Sequence, residues 1–321
     1  MKKIATKFSV VALLAVALTS CNKKTNDPPE ADKEFNSAVE ASVANFIATD
    51  IEQMVSQASE YSYIQFYTTA GFMGSNSLNR DTVSKVNTLT FNQSTGVDGV
   101  YRNGVVTVNY QGTTGSTAYM RNPGHISNVT FNNFTVGKYV IDNSSNLKLT
   151  NTTAAGYSRS VTPLTWKIEG TLKLKDTTDG NTEVTWTGSL NKTLVNSTSN
   201  TIHPSASLPL VWTTTNNAVK SDAINAIVKY TGETSGTSKN GSTYMYKIDD
   251  ERPVHRYFGC SPDYYINPEQ HPFSKGKVIF TTGDKSVRFV YYGDQDDNMT
   301  CDNSTVVIIE GVSYKVDLKY Q

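Results

Sequence analysis

The chain has 321 residues and carries 29 basic and 29 acidic side chains, a formal net charge of zero. No field of one sign would steer it toward nucleic acid, which is therefore not an expected partner. Aromatic residues make up 10% of the chain and include 18 tyrosines, in a background rich in Thr, Asn, Ser and Gly, which favours pleated strands and turns over helices.

The first element is a leader. Lys2, Lys3 and Lys7 precede an apolar segment from Phe8 to Leu18, and small residues follow. These are the three parts of a secretory signal, and the apolar segment is shorter than the roughly 20 residues that span a bilayer. Leu18-Thr19-Ser20-Cys21 resembles the lipobox of bacterial lipoproteins. That resemblance implies cleavage before Cys21 and acylation of its thiol, with the lipid bilayer as partner. The signal-peptide region is taken as 1–21, ending at the acylated cysteine, and the mature protein is then a membrane-anchored lipoprotein of the outer membrane. Its periplasmic or surface-exposed placement is left open, because Lys23 and Lys24 stand where some surface-exported lipoproteins carry acids. Residues 22–35, polar and bearing Pro28 and Pro29, read as a tether.

A helix is expected over about residues 36–58. Ser37-Ala38-Val39-Glu40 has the form of a capping box. Val39, Val43, Phe46, Ile47, Ile51, Met54 and Val55 recur at helical spacing, which predicts one apolar face packed on the rest of the body. The helical region is taken as 36–60.

From about residue 84 the apolar period becomes two, and two antiparallel β regions are expected, 61–200 and 201–321, forming a mainly β, sandwich-like body. In the first, Leu164, Trp166, Ile168, Leu172 and Leu174 alternate with polar residues, as do Val184, Trp186 and Leu190. The apolar positions of both strands are even, so paired residue numbers must have an even sum. This excludes a two-residue Asp179-Gly180 turn and predicts a three-residue loop with Gly180 left-handed. Leu172 should then face Trp186, and Gly170 should face Gly188. Opposed glycines mark a bend or a close approach.

The second region should hold a hairpin at Asn240-Gly241 and two more at the end. Parity suggests a two-residue turn at Gly283-Asp284, pairing Val278 and Phe280 with the set Val287, Phe289 and Tyr291. Val307 and Ile309 should face Val312, Tyr314 and Val316 around Glu310-Gly311. Residues 221–229 read as a strand, with a short helix as the alternative.

Phe131-Asn132-Asn133-Phe134, the strands around Trp166 and Trp186, and the ending from Tyr292-Gly293-Asp294 through Cys301-Asp302-Asn303 to Glu310-Gly311 and Lys315-Val316 resemble a group of uncharacterised Bacteroidota lipoproteins. The resemblance implies a two-part antiparallel β lipoprotein and brings no catalytic residues. This chain departs from the group by the insertion Gln295 to Met299 and by lacking a cysteine in its first β half.

Candidate sites are few. Cys260 and Cys301 are the only cysteines after Cys21, and outside the cytoplasm they form a candidate disulfide, with two free thiols as the alternative. Asp294, Asp296 and Asn298 have the alternating spacing of a calcium loop, but Met299 and Thr305 occupy the slots for its glycine and its final acid. The four histidines lack zinc spacing, and no phosphate-binding glycine loop or Gly-x-Ser-x-Gly elbow occurs, so no cofactor is expected. Tyr257, Tyr264, Tyr265 and Phe273, in a proline-bearing stretch, could stack on sugar rings if exposed. Three functions follow in order: a non-catalytic envelope lipoprotein with a binding or structural role, its partner a glycan or an envelope protein; a glycan-binding surface lipoprotein; and a hydrolase with paired carboxylates.

Overall fold

In the computed structural model the described residues are 32–59, 77–95, 100–111, 120, 122–154, 163–180, 182–196, 226–257, 273–293 and 304–318. Among the described residues one helix, α1 (Asn36–Ser59), precedes fifteen strands. They are β1 (Ser77–Asp81), β2 (Val86–Thr95), β3 (Tyr101–Gln111), β4 (Ile126–Val136), β5 (Tyr139–Ile141), β6 (Asn146–Asn151), β7 (Leu164–Asp176) and β8 (Thr182–Asn196). There follow β9 (Ala226–Thr237), β10 (Thr243–Ile248), β11 (Val254–Tyr257), β12 (Gly276–Thr282), β13 (Arg288–Tyr292), β14 (Ser304–Ile309) and β15 (Val312–Asp317).

Every named pairing is antiparallel and nearly every strand pairs with its neighbour in sequence, so the chain forms a meander. Two places in it are filled by a pair of short strands: β5 and β6 together bridge β4 and β7, while β10 and β11 share β9. The strands of both expected β regions lie in one continuous sheet. β8 pairs with β9 from Thr187 to Asn196 across the proposed boundary, and all fifteen strands belong to the same sheet. The inner face of this sheet packs on a helix.

The β7–β8 hairpin has the expected register. Leu172 faces Trp186, Ile168 faces Leu190 and Gly170 faces Gly188, while Gly180 is left-handed with φ of 59°. The glycines admit close neighbours. Gly170, at φ 145°, lies against the β6 backbone at Asn146, where a Cβ would overlap the carbonyl. At Gly188 the indole of Trp186 itself and the methyl of Thr234 occupy the space a Cβ would need. The hairpins at Asn240-Gly241 and Glu310-Gly311 form as expected, the latter pairing Ile309 with Val312 and Val307 with Tyr314. The strand expected over 221–229 is present from Ala226; residues 221–225 lie outside the described residues.

The β12–β13 hairpin corrects its expectation. Val278 pairs with Val290 and Phe280 with Arg288, so the loop is one residue longer and β13 is turned over. Arg288, Val290 and Tyr292 point inward; Phe289 and Tyr291 point outward. The inward slots suit Arg288 and Tyr292 because α1 offers them hydrogen-bond partners, described below.

Helix α1 has nearly the expected limits, but its cap and its surroundings differ. The carboxylate of Glu34 accepts from the Ser37 N–H at 2.9 Å, while Glu40 accepts from the Lys239 N–H at 2.8 Å, so the Ser37–Glu40 capping box does not form. Nor does the helix lie on the sheet by one face. From Ala41 to Val55 every residue is buried, including Ser42, Asn45, Thr49, Asp50, Glu52 and Gln53. Side chains from β1, β3, β8, β9 and β13 reach it, so the sheet curls round the helix. Bulges in the β2–β3 and β3–β4 ladders, the second at Gly104 (φ 98°), supply part of the curvature. Ala38, Ala41, Ala44, Ala48 and Ala58, all at most 2% exposed, let the strands approach closely.

Candidate functional site

A helix enclosed on all sides must have each polar group matched, because an unpartnered buried charge is costly. Strand residues supply partners for Ser42, Asn45, Asp50 and Glu52. Lys192 on β8 donates to both carboxylate oxygens of Glu52 at 2.8 and 2.7 Å, and its ammonium sits 4.9 Å from the centre of the Trp166 ring. Arg102 on β3 bonds Asp50 at 2.8 Å, both side chains being at most 1% exposed. The Trp186 indole N–H donates to Asn45 Oδ1 at 3.0 Å, and the Thr234 hydroxyl donates to the same oxygen. Nearer the start of the helix, Tyr292 donates to Ser42 Oγ at 2.8 Å and is bonded to Tyr246. Burial pushes the Tyr292 hydroxyl up to about 12 and raises Tyr246 well above the ordinary phenol range. Both phenols remain neutral donors at any physiological pH.

A second cluster lies beside the helix start. Asp176, at the end of β7, accepts from Lys239 at 2.6 Å and Lys138 at 3.2 Å, and also from Thr178. Burial alone would raise its carboxyl, but the bonds from Lys239 and Thr178 outweigh that and hold it well below the usual carboxylate range. At the other end, Arg80 on β1 donates to the carbonyls of Ala58 and Ser59, orphan acceptors of the last turn.

These groups build a frame more than a reaction centre. The buried carboxylates Asp50, Glu52 and Asp176 are each engaged by a cation, and among the described residues no three of His, Cys, Asp or Glu gather to hold a metal. His125 and His255 are buried, and desolvation holds each down to about 4, with Lys229 and Lys275 adding to the effect on His255. The sign follows directly. The unfolded chain takes up these protons near pH 6.5 and the folded one only near 4, so stability should fall as pH drops through that window, by at most about 1.4 kcal/mol per pH unit for each histidine. Urea unfolding from pH 7 to 4.5 should show this slope, and His125→Gln with His255→Gln should flatten it. An unchanged slope in the double variant would exclude the histidines as its source.

Of the residues singled out from sequence, Phe273 is corrected. It is 2% exposed and packs edge-on against Phe46, Tyr230 and Tyr292, so it is a core residue and cannot stack on a sugar. Tyr257 ends β11, its backbone paired with Ile227, and its side chain lies outside the described residues. Cys21, Cys260, Tyr264, Tyr265, Asp294, Asp296, Asn298 and Cys301 also lie outside them. The ion-pair residues Asp50, Glu52, Arg102 and Lys192 were not singled out. Lys192 had a signal: it continues the even-numbered inward series Trp186, Leu190 and Leu194. Comparison of the chain with known protein families, with characterised proteins and with solved structures finds no match.

Proposed function

We propose that this chain is a non-catalytic envelope lipoprotein, anchored through acylated Cys21 and acting by binding or structural support from its outer surface. The observation that carries the reading is the filled interior. In a sheet that curls on itself the inside is the natural ligand cavity, and here α1 occupies it with its carboxylates neutralised by Arg102 and Lys192. Recognition is then left to the outer face and the loops. The leader motif supplies the anchor, and no helix among the described residues is long and apolar enough to cross a membrane. Labelling of bacteria expressing the full chain with an alkyne palmitate analogue tests the anchor. The wild type should be labelled and sediment with membranes, and Cys21→Ala should lose both properties. An unlabelled wild type, or a variant that still carries label, would overturn it.

A further inference from the structure

The reversed register of β13 places Phe289 and Tyr291 on the outer face, where their cross-strand neighbours are also apolar. Phe289 lies between Ile279 on β12 and Ile308 on β14; Tyr291 is next to Val306 on β14. All five are partly exposed, and Met245 on β10, opposite Thr281 in the next row, is 49% exposed. Solvent faces of antiparallel sheets are ordinarily polar, as β7 and β8 are, so an apolar patch over four adjacent strands marks a contact surface.

Its margin is basic. Lys247 ends the Ile279–Phe289–Ile308 row, and Lys277 and Lys315 end the Tyr291–Val306 row. Lys247 and Lys315 are exposed; Lys277 lies 4.8 Å from the Phe289 ring centre and is bonded to Asp249. The remaining acid on these rows is Glu233, beyond Lys247 on β9. An apolar centre with a lysine margin complements an anionic lipid surface, where apolar side chains enter the interface and ammonium groups stay among the headgroups.

The attachment point of the chain favours the same partner. Arg288, the residue before Phe289, donates to the Glu34 carbonyl at 2.7 Å, and Phe35 stacks on Tyr314 of β15 at 5.5 Å. The fold therefore takes in its N-terminal segment on the inner side of strands β13 and β15, near the patch carried on the outer side. Cys21 precedes Glu34 by thirteen residues, which can span at most about 45 Å. A tether of that length raises the effective concentration of the bilayer around these strands, so even weak intrinsic affinity suffices.

We propose that the outer face of β10 and β12–β15, centred on Phe289 and Ile308 and flanked by Lys247 and Lys315, docks on an anionic lipid surface. The proposal rests on the lipid-anchor reading for its biological setting, but the test does not. The chain from Asn22 onward, without an acyl group, retains the compact unit Glu34–Gln321. It is sedimented with vesicles of phosphatidylcholine alone or mixed with phosphatidylglycerol. It should sediment with the mixed vesicles, less so at high salt, and remain in solution with phosphatidylcholine. Phe289→Glu with Ile308→Glu, and separately Lys247→Glu with Lys315→Glu, should each weaken binding by about tenfold or more. The lysine pair is exposed, so its melting temperature should stay unchanged even if the first pair disturbs folding. Absence of binding to mixed vesicles, or binding indifferent to both pairs, would overturn the proposal. So would a dimer in light scattering that both pairs dissociate, which would assign the face to a second copy. Missing palmitate on Cys21 with vesicle binding intact would remove the anchor and leave the docking face.

Discussion

Lys192→Met is expected to destabilise the fold by about 3–5 kcal/mol, because it strips both hydrogen bonds from a fully buried Glu52 while changing side-chain volume little. Coulomb attraction in a poorly polarisable interior offsets the desolvation of two charges only while both are present, and the Trp166 face adds a further interaction with the ammonium. Glu52→Leu combined with Lys192→Met should therefore recover most of the loss, since apolar residues of similar size need no compensation. Urea unfolding of the two single variants and the double variant decides the matter. If the double variant is as unstable as the sum of the singles, the pair is not coupled as described.

Trp186→Ala should cost about 3–5 kcal/mol, in the range of large-to-small changes in a close-packed core. Trp186 has 0% exposure, its ring covers Gly188, and its N–H satisfies Asn45 in the middle of α1. Truncation opens a cavity between the longest hairpin and the helix and takes a donor from a buried amide. Trp186→Phe separates these effects: it fills most of the space but loses the hydrogen bond, and should cost about 1–3 kcal/mol. Thermal unfolding followed by far-UV circular dichroism reads both. A phenylalanine variant as stable as the wild type would show that Asn45 does not depend on the indole.

Where sequence reasoning succeeded, one face of an element was clearly apolar and the other clearly polar. Leu164 to Leu174 against Val184 to Leu190 alternate cleanly, so the parity of the pairing was determined and with it the loop at Gly180. Glu310-Gly311 is the same case with a two-residue turn. Parity failed at β13 because Phe289-Val290-Tyr291-Tyr292 is apolar on both faces, so the pattern could not say which face was inner. The deciding residue was Arg288, which a rule of apolar-inside would place outside and which the Glu34 carbonyl holds inside.

The helix illustrates the same limit. Its apolar stripe is real, but Asp50, Glu52 and Gln53 are buried too, and nothing in the local sequence says that strands distant in the chain will bring Arg102 and Lys192 to them. Such partners become visible only when a charge interrupts an inward series, as Lys192 does. The outer patch was hidden for the related reason that its rows join β10, β12, β13 and β14, and their register must be known first. The lipobox resemblance at Cys21, by contrast, depends on no fold at all.

The enclosure of α1 is most directly tested by native-state hydrogen exchange of its backbone amides. If the sheet surrounds the helix, the amides from Ala41 to Val55 can exchange only when the sheet opens, so their protection should equal the global unfolding free energy and fall with it in Lys192→Met. Exchange of these amides at the far lower protection of a surface helix, unaffected by Lys192→Met, would contradict the enclosure.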